Sequence, residues 1–196
     1  MIAGLVLAAG AGTRFARRAR AGGGPKLLAD LHGRPLLAHA VDAICAVAGV
    51  DPVVVVLGAY ADEVLAKVSF GRARPVICPE WSQGQAASLR CGLREVSEAD
   101  RVIVTLGDEP LVAPTVIERF VNAAPGTRAV YDGHPGHPVL LGRQHMSALS
   151  SLTGDRGARD LLRGGPTIEC GRLSSGRDVD TPEDLEALRD EGRAVL

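Results

Sequence analysis

Unbroken apolar runs alternate with amphipathic stretches along most of this chain. Residues 2–9 (IAGLVLAA) and 53–57 (VVVVL) are apolar throughout, which is typical of strands buried on both faces of a sheet. Arg101–Leu106 is a third apolar strand. Between the first two runs, residues 35–47 carry apolar side chains at helical spacing. This alternation predicts a mostly parallel sheet with helices on both faces.

The hydrophobic pattern in the rest of the chain predicts further helices and strands. Further helices are predicted over residues 61–68, 85–96, 114–123 and 157–163, and further strands over 75–78, 128–131 and 138–141. A final helix over residues 182–190 follows Thr181 as its N-cap and begins with acidic residues. We see no internal repeat or linker, so we predict one nucleotide-binding-type domain over residues 1–196. The glycine-rich residues 21–24 are expected to be flexible.

The composition indicates which residues build the core and which classes of binding partner are not expected. The chain of 196 residues is 46% hydrophobic but only 3% aromatic, so its core must be built from Ala, Val and Leu. Its net charge of -1 gives no reason to expect a nucleic acid or a membrane surface as partner. The apolar N-terminus has no basic residues before it and is too short to span a bilayer. We interpret it as a core strand.

The four cysteines are Cys45, Cys78, Cys91 and Cys170. They are scattered and form no CxxC pair, which favours reduced, mostly buried thiols over a metal or disulfide role. Without a secretion signal, the expected location is the reducing cytoplasm.

Small residues follow the first predicted strand, in LAAGAGTRF (7–15), and PKLL (25–28) comes soon after. Such residues let backbone N–H groups approach a ligand closely, and Arg14 and Lys26 supply charge for a triphosphate. The third glycine of the dinucleotide fingerprint is missing, which disfavours a nicotinamide oxidoreductase. The P-loop is excluded because Leu follows Lys26. Taken alone, the segment is also compatible with a flexible turn carrying solvated cations.

Acidic side chains occur at two places suited to a metal. Asp108, in LGDEPLV (106–112), follows the strand Arg101–Leu106, where a carboxylate can hold Mg²⁺ or Mn²⁺ bound to phosphate oxygens. The alternative is a turn-forming aspartate. Glu109 is interpreted as a solvated loop charge.

The second acidic place is DVDTPEDL (178–185), where Asp178 and Asp180 alternate with Val179 and can face the same way. A second carboxylate reaching the same metal would complete a site. The equally open alternative is that Asp180 and Thr181 only cap the final helix.

Two polar segments remain. In WSQGQAASLRCGL (81–93), Gln85 and Ser88 begin a helix and can offer polar groups to a nucleobase, or can simply cap it. In GHPGHPVLLG (133–142), His134 and His137 precede a strand. No third ligand lies nearby in the sequence, so zinc is disfavoured.

Taken in order, these motifs resemble the MobA-like nucleotidyltransferase superfamily and, within it, the molybdenum cofactor cytidylyltransferase (MocA-type) branch. The resemblance covers almost the whole chain and rests on LAAG with Arg14, PK, GQAASLRCGL, GDEP, GHPVLLG, GDRGARDLL and DVDTPEDL. It implies an α/β fold, a Rossmann-like three-layer sandwich of the nucleotide-diphospho-sugar transferase type. It also implies that an acceptor phosphate attacks the α-phosphorus of an NTP and releases pyrophosphate.

The resemblance also implies roles for individual residues. Arg14, Lys26 and Asp108 would be catalytic, and Asp108 and Asp180 would bind Mg²⁺ or Mn²⁺, with Asp178 as the alternative second ligand. The residues implied to bind the nucleotide are Leu7, Ala8, Ala9, Gly10, Arg14, Lys26, Ser88 and Gly107. LAAG favours CTP over GTP, the implied acceptor is of the molybdopterin type, and a molybdoenzyme is a possible partner.

One departure from the family pattern is the long segment between Arg14 and Lys26, which carries Arg17, Arg18 and Arg20. We expect a solvated flap, although extra phosphate or acceptor contacts are the alternative. This spacing is also similar to that of sugar-1-phosphate nucleotidyltransferases, so another phosphorylated acceptor stays open. A non-catalytic molybdenum-cofactor accessory protein is disfavoured because Arg14, Lys26, Asp108 and Asp180 are all retained.

Overall fold

A seven-stranded sheet forms the centre of the protein in a computed structural model, which describes residues 1–19, 24–149 and 162–193. Its strands are β1 Ile2–Ala8, β4 Val50–Leu57, β5 Arg74–Ile77, β6 Arg101–Leu106, β7 Arg128–Tyr131, β8 His134–Gly142 and β9 Thr167–Glu169. Two short strands, β2 Asp30–Leu31 and β3 Arg34–Pro35, pair as a separate antiparallel hairpin. The sequence pattern predicted neither this hairpin nor β9, because segments of two or three residues carry no periodicity.

The strand order across the sheet is β5-β4-β1-β6-β8-β7-β9. The first four strands in this order are parallel. Strand β8 runs antiparallel to both β6 and β7, and β9 returns parallel to β7. This arrangement confirms the predicted α/β class with a mostly parallel sheet. The loops after β1 and β6 leave neighbouring strands at the same edge, where ligands bind in sheets of this type.

Helices cover the sheet: α1 Thr13–Arg18, α2 Leu36–Cys45, α3 Ala61–Lys67, α4 Gln85–Glu95, α5 Pro114–Val121, α6 Arg143–Leu149 and α7 Pro182–Arg193. Single 3₁₀ turns lie at Lys26–Leu28 and Trp81–Gln83. No helix within the described ranges is long and apolar enough to cross a membrane. Of the helix predicted over 157–163, residues 157–161 lie outside the described residues, and Leu162 and Arg163 form part of a turn.

The flap predicted around the arginines is helical in its first part, although Arg17 and Arg18 are exposed to solvent as expected. Arg17 and Arg18 belong to the last turn of α1, because the buried ring of Phe15 fixes this helix to the core. Arg20, the other arginine of that prediction, lies outside the described residues, as do residues 21–23 of the expected flexible segment.

The alternation of side chains along β4 separates two apolar clusters. Val55 and Leu57 pack into the cluster that contains α2 and α5, while Val54 and Val56 pack into the one that contains α4. Successive strand side chains point to opposite faces, so the protein has three layers. A third cluster fixes α7 near α1 and the hairpin and comprises Phe15, Leu31, Leu36, Val179, Leu185 and Leu188. This cluster determines where the acidic segment before α7 lies.

Candidate active site

Asp108 and Asp180 meet at the carboxyl edge of the sheet around one lysine. The Lys26 ammonium donates a hydrogen bond to Asp108 Oδ2 at 2.6 Å, and its nitrogen lies 3.7 Å from Asp180 Oδ1. The Lys26 side chain is only 10% exposed, so this contact is partly shielded from water. The guanidinium of Arg14, which is largely exposed, donates to Asp180 Oδ2. Four residues from four separate segments thus form one charged cluster.

A backbone hydrogen bond brings the two acidic segments together. The N–H of Val179 donates to the carbonyl of Asp108 at 2.9 Å, and the Val179 side chain is fully buried in the third apolar cluster. Asp178 and Asp180, on either side of Val179, are thereby held next to the end of β6. The predicted alternation of these residues is present, although the segment is not a strand.

The cap of α7 is made without the carboxylate of Asp180. Asp184 Oδ2 accepts hydrogen bonds from the Thr181 N–H at 2.7 Å and the Asp180 N–H at 3.0 Å, and the Asp184 N–H donates to Thr181 Oγ1 at 3.2 Å. This reciprocal pairing satisfies the first N–H groups of the helix. The interpretation of Asp180 as only a capping residue is therefore wrong, because its carboxylate faces Arg14 and Lys26 instead.

Glycines allow the close approach of these segments. Gly12 has φ +58°, and a Cβ placed there would lie 3.0 Å from Lys26 Cβ. The left-handed conformation and the contact both favour glycine. At Gly107, whose N–H donates to the carbonyl of Leu7 at 2.9 Å, a Cβ would come within 2.8 Å of Leu37.

The predicted nucleotide-binding residues are brought only partly together. Ala8, Gly10, Pro25, Lys26, Leu27, Leu57, Gly58, Tyr60, Ala61 and Val64 line one small concavity beside the charged cluster. Gly10 is exposed, with open space where a side chain would stand. Ala9 is buried, and its carbonyl is used by the N–H of Ala59. Ser88 is buried in the first turns of α4 and does not line this concavity.

Three carboxyl groups share this edge of the sheet. Partial burial, followed by the charges of Asp180 and Asp108, raises the pKa of Asp178, while Lys26 acts in the opposite direction. Oxygen donors of this kind are the ligands that Mg²⁺ and Mn²⁺ prefer. The Lys26 ammonium lies between Asp108 and Asp180, which shows that both face one place where a cation fits. The residues present therefore fit a hard divalent ion.

The prediction made for Glu109 is wrong. This residue was expected to be a solvated loop charge, but it is 5% exposed. Its Oε1 lies 3.2 Å from His137 Nδ1, and its buried Oε2 has no hydrogen-bond partner among the described residues. Burial raises the pKa of Glu109, while the neighbouring His137 acts to lower it. The two residues are 28 positions apart and meet only because β8 pairs with β6. The sole sequence signal was the polar GHP triplet just before an apolar strand.

Similarity to known proteins identifies the family of this chain. A family model described as MobA-like NTP transferase domain matches residues 4–172. The chain belongs to the MobA-like NTP transferase family. The family predicted from the motifs is thereby confirmed.

Several proteins similar to this MobA-like chain match it over nearly its full length. The "Nicotine blue oxidoreductase" of Paenarthrobacter nicotinovorans is 34% identical over 95% of this chain and 96% of its own. The crystal structure of Rv0371c from Mycobacterium tuberculosis H37Rv is 30% identical, with a TM-score of 0.81 over 96% of this chain and 97% of that one. A structure of Rv0371c in complex with manganese, also 30% identical, matches with a TM-score of 0.75 and covers 96% and 98% of the two chains.

Proposed function

We propose that this MobA-like protein is a Mg²⁺- or Mn²⁺-dependent nucleotidyltransferase that transfers CMP from CTP to a phosphorylated acceptor of the molybdopterin type. The observation that carries the proposal is the meeting of Asp108 and Asp180 at one cation-sized place beside a glycine loop. Free, mostly buried thiols agree with work in the reducing cytoplasm.

In the reaction, an oxygen of the acceptor phosphate forms a bond to the α-phosphorus of the nucleotide. The bond from that phosphorus to the bridging oxygen breaks, and pyrophosphate leaves with the electron pair. No covalent enzyme intermediate is needed, so the protein contributes positioning and neutralisation of charge.

Asp108 and Asp180 would hold the divalent ion, and Asp178, on the other side of Val179, is the alternative second ligand. When bound, that ion neutralises phosphate oxygens and helps orient them. The manganese complex of Rv0371c supports a divalent ion in a protein of the same fold.

Lys26 and Arg14 would bind the triphosphate. Lys26 is held in place by the acidic pair, and phosphate oxygens offer it an equivalent set of negative partners. Arg14 is largely exposed and can leave Asp180 for a phosphate at small cost, since exposed ion pairs contribute little.

The base is proposed to lie against the loop of Leu7, Ala8, Ala9 and Gly10, with Gly107 keeping β6 close to β1. The preference for CTP rests on the LAAG motif. The polar His137 and the buried Glu109 lie on the β8 side of the charged cluster, where the acceptor is proposed to bind.

The test is pyrophosphate release with each of the four common NTPs, with Mg²⁺ or Mn²⁺, and with either a molybdopterin-type acceptor or sugar 1-phosphates. We expect turnover with CTP and the molybdopterin-type acceptor, and loss of turnover in the presence of a chelator. Turnover only with sugar 1-phosphates would keep the chemistry and replace the acceptor. Tight acceptor binding without turnover under any NTP would favour an accessory protein.

The name of the Paenarthrobacter relative supports a second candidate, an oxidoreductase that acts on a compound such as nicotine blue. The loop after β1 lacks the third glycine of the dinucleotide fingerprint, and a carboxylate pair around Lys26 is better suited to a metal–triphosphate complex. Oxidation of a reduced nicotinamide cofactor in the presence of nicotine blue, together with no pyrophosphate release from any NTP, would favour this second function.

A further inference from the structure

Two thiols and a carboxylate converge away from the charged cluster. One ligand atom each from Cys78, Glu80 and Cys91 lies within 4.8 Å of the other two. Cys78 and Cys91 are buried, whereas the side chain of Glu80 reaches solvent. None of these residues has a place in the proposed transfer reaction.

Local backbone geometry holds the three residues together. The N–H of Cys78 donates to the carbonyl of Leu57 at 2.9 Å, which continues β5 alongside β4. The chain then turns through Trp81–Gln83 into α4, so the Cys78 sulfur lies 3.8 Å from the carbonyl of Ala87. Cys91 follows one turn later on the same helix and therefore lies over Cys78.

The spacing suits tetrahedral coordination. Cys78 Sγ and Glu80 Oε2 are 3.8 Å apart. Zinc bonds of about 2.3 Å to sulfur and about 2.0 Å to oxygen place two tetrahedral ligands about 3.5 Å apart. A small movement of the exposed Glu80 side chain closes that difference. Two thiolates and one carboxylate leave the fourth position open to solvent.

The charge of a metal-bound cluster would be compensated by a neighbouring cation. Two thiolates, one carboxylate and a divalent ion carry one net negative charge. The guanidinium of Arg94 lies 3.8 Å from Glu80 Oε2 and contacts Cys91, so it offsets that charge. Soft thiolates select zinc-like ions, whereas the oxygen ligands near Lys26 select hard ions.

We propose that Cys78, Glu80 and Cys91 form a second metal site, which binds a thiophilic divalent cation of the Zn²⁺ class. The ion links the end of β5 and the following turn to α4. Ser88 lies on the same helix, one turn before Cys91, so the site stabilises the start of α4. The proposal does not depend on the nucleotidyltransferase assignment.

The test uses the full chain, freed of metal by a chelator and kept reduced, with Co²⁺ as a spectroscopic probe and Zn²⁺ in calorimetry. All measurements are made in the background of Asp108→Ala with Asp180→Ala, which removes the two proposed ligands of the hard-ion site. We expect one Co²⁺ per chain, with thiolate-to-cobalt charge transfer and the intense visible bands of tetrahedral cobalt. Zn²⁺ should displace the Co²⁺ and raise the melting temperature.

Ligand variants and a matched thiol control decide the outcome. Cys78→Ser and Cys91→Ser should each weaken Zn²⁺ binding by at least ~100-fold, because even an outer residue of a metal site contributes ~10–100-fold. Glu80→Gln, an exposed change that spares the core, should weaken binding by roughly 10-fold. Cys45→Ser, at a half-buried thiol outside the cluster, should leave Co²⁺ spectra and Zn²⁺ affinity unchanged.

Two results would overturn the proposal. One is Zn²⁺ binding that survives in both Cys78→Ser and Cys91→Ser. The other is a reduced protein that takes up no Co²⁺ or Zn²⁺ but forms a Cys78–Cys91 disulfide on oxidation, as mass spectrometry would show.

Discussion

The parallel and antiparallel halves of the sheet differ in burial and in the chemistry at their ends. Strands β5, β4, β1 and β6 are joined in parallel, and β1 and β4 are buried along almost their whole length. Strand β8 in the other half begins exposed and becomes buried only from Pro138 onward. The parallel half ends in a glycine loop with Arg14 and Lys26, whereas the antiparallel half contributes the His137 that pairs with the buried Glu109.

In the proposed reaction, this difference would separate triphosphate binding from recognition of the acceptor. Triphosphate binding needs cations and backbone N–H groups, which the loops of the parallel half supply. A particular acceptor needs polar side chains at defined positions, and in the proposed reaction the antiparallel half would supply them. Asp108 lies at the boundary, at the end of β6, and Val179 connects it to the segment before α7.

The largest expected loss of activity follows from a change at Asp108, which lies at this boundary. Asp108→Asn keeps the shape but removes a charged metal ligand, so we expect kcat/KM to fall by roughly 1,000-fold, about 4 kcal/mol. Pyrophosphate release at saturating Mn²⁺ measures it. Asp62→Asn, at an exposed position in the first turn of α3, is the matched control and should be unaffected. A fall of less than about 10-fold in Asp108→Asn would contradict the assignment.

A smaller loss of activity is expected for a change at Lys26, within the parallel half. Lys26→Met removes the ammonium but keeps most of the side-chain volume, and we expect kcat/KM for the NTP to fall by roughly 100-fold, about 2.7 kcal/mol. The KM of the acceptor should change little. Lys67→Met, at an exposed position near the end of α3, is the control. Normal NTP kinetics in Lys26→Met would remove its phosphate role.

The two halves should also differ in how much a substitution lowers the free energy of unfolding. Val55→Ala, at a fully buried position of β4, should lower the free energy of unfolding by about 2–3 kcal/mol, through lost burial and the cavity left behind. His134→Ala, at the exposed start of β8, should change it by less than about 0.5 kcal/mol. Urea unfolding followed by circular dichroism measures both. Equal losses would show that burial does not separate the two halves.

The antiparallel half is tested by Glu109→Gln. The amide keeps a polar group facing His137 but removes the carboxyl group, and we expect the KM of the acceptor to rise by roughly 10-fold, about 1.4 kcal/mol. The KM of the NTP should stay within about twofold. If the NTP KM rises instead, Glu109 belongs to the nucleotide side and the division between halves is wrong.

The smallest expected effect concerns Asp100, which joins the N-terminus to the start of α6. Hydrogen bonds from the Met1 ammonium and then from Arg143 lower the pKa of Asp100. Its contribution to stability is therefore present above the unfolded pKa, near 3.9, and is lost as the pH falls through the lower folded value. Asp100→Asn should be slightly less stable than the wild type at neutral pH, and the two should converge in acid. Urea titrations at several pH values would detect this. Divergence toward acid would contradict it.

Prediction from the sequence was most successful for elements that depend on residues close together in the chain. The run of valines in β4 predicted a strand buried on both faces, and the Thr181 cap predicted the start of α7. The burial of Glu109 could not be predicted, because it depends on His137 arriving through a distant strand pairing. Likewise, the direction of the Asp180 carboxylate depends on the Val179–Asp108 hydrogen bond and not on any pattern around Asp180. Non-local contacts of this kind leave no periodicity in the chain.

The most direct test of the account is Mn²⁺ binding in the presence of CTP, measured by electron paramagnetic resonance for Asp108→Ala, Asp180→Ala and the double variant. If both carboxylates hold one ion, each single change should weaken Mn²⁺ binding by roughly 100-fold or more, and the double change should cost far less than the sum of the two. Wild-type Mn²⁺ affinity in Asp180→Ala, or fully additive losses, would contradict the shared site.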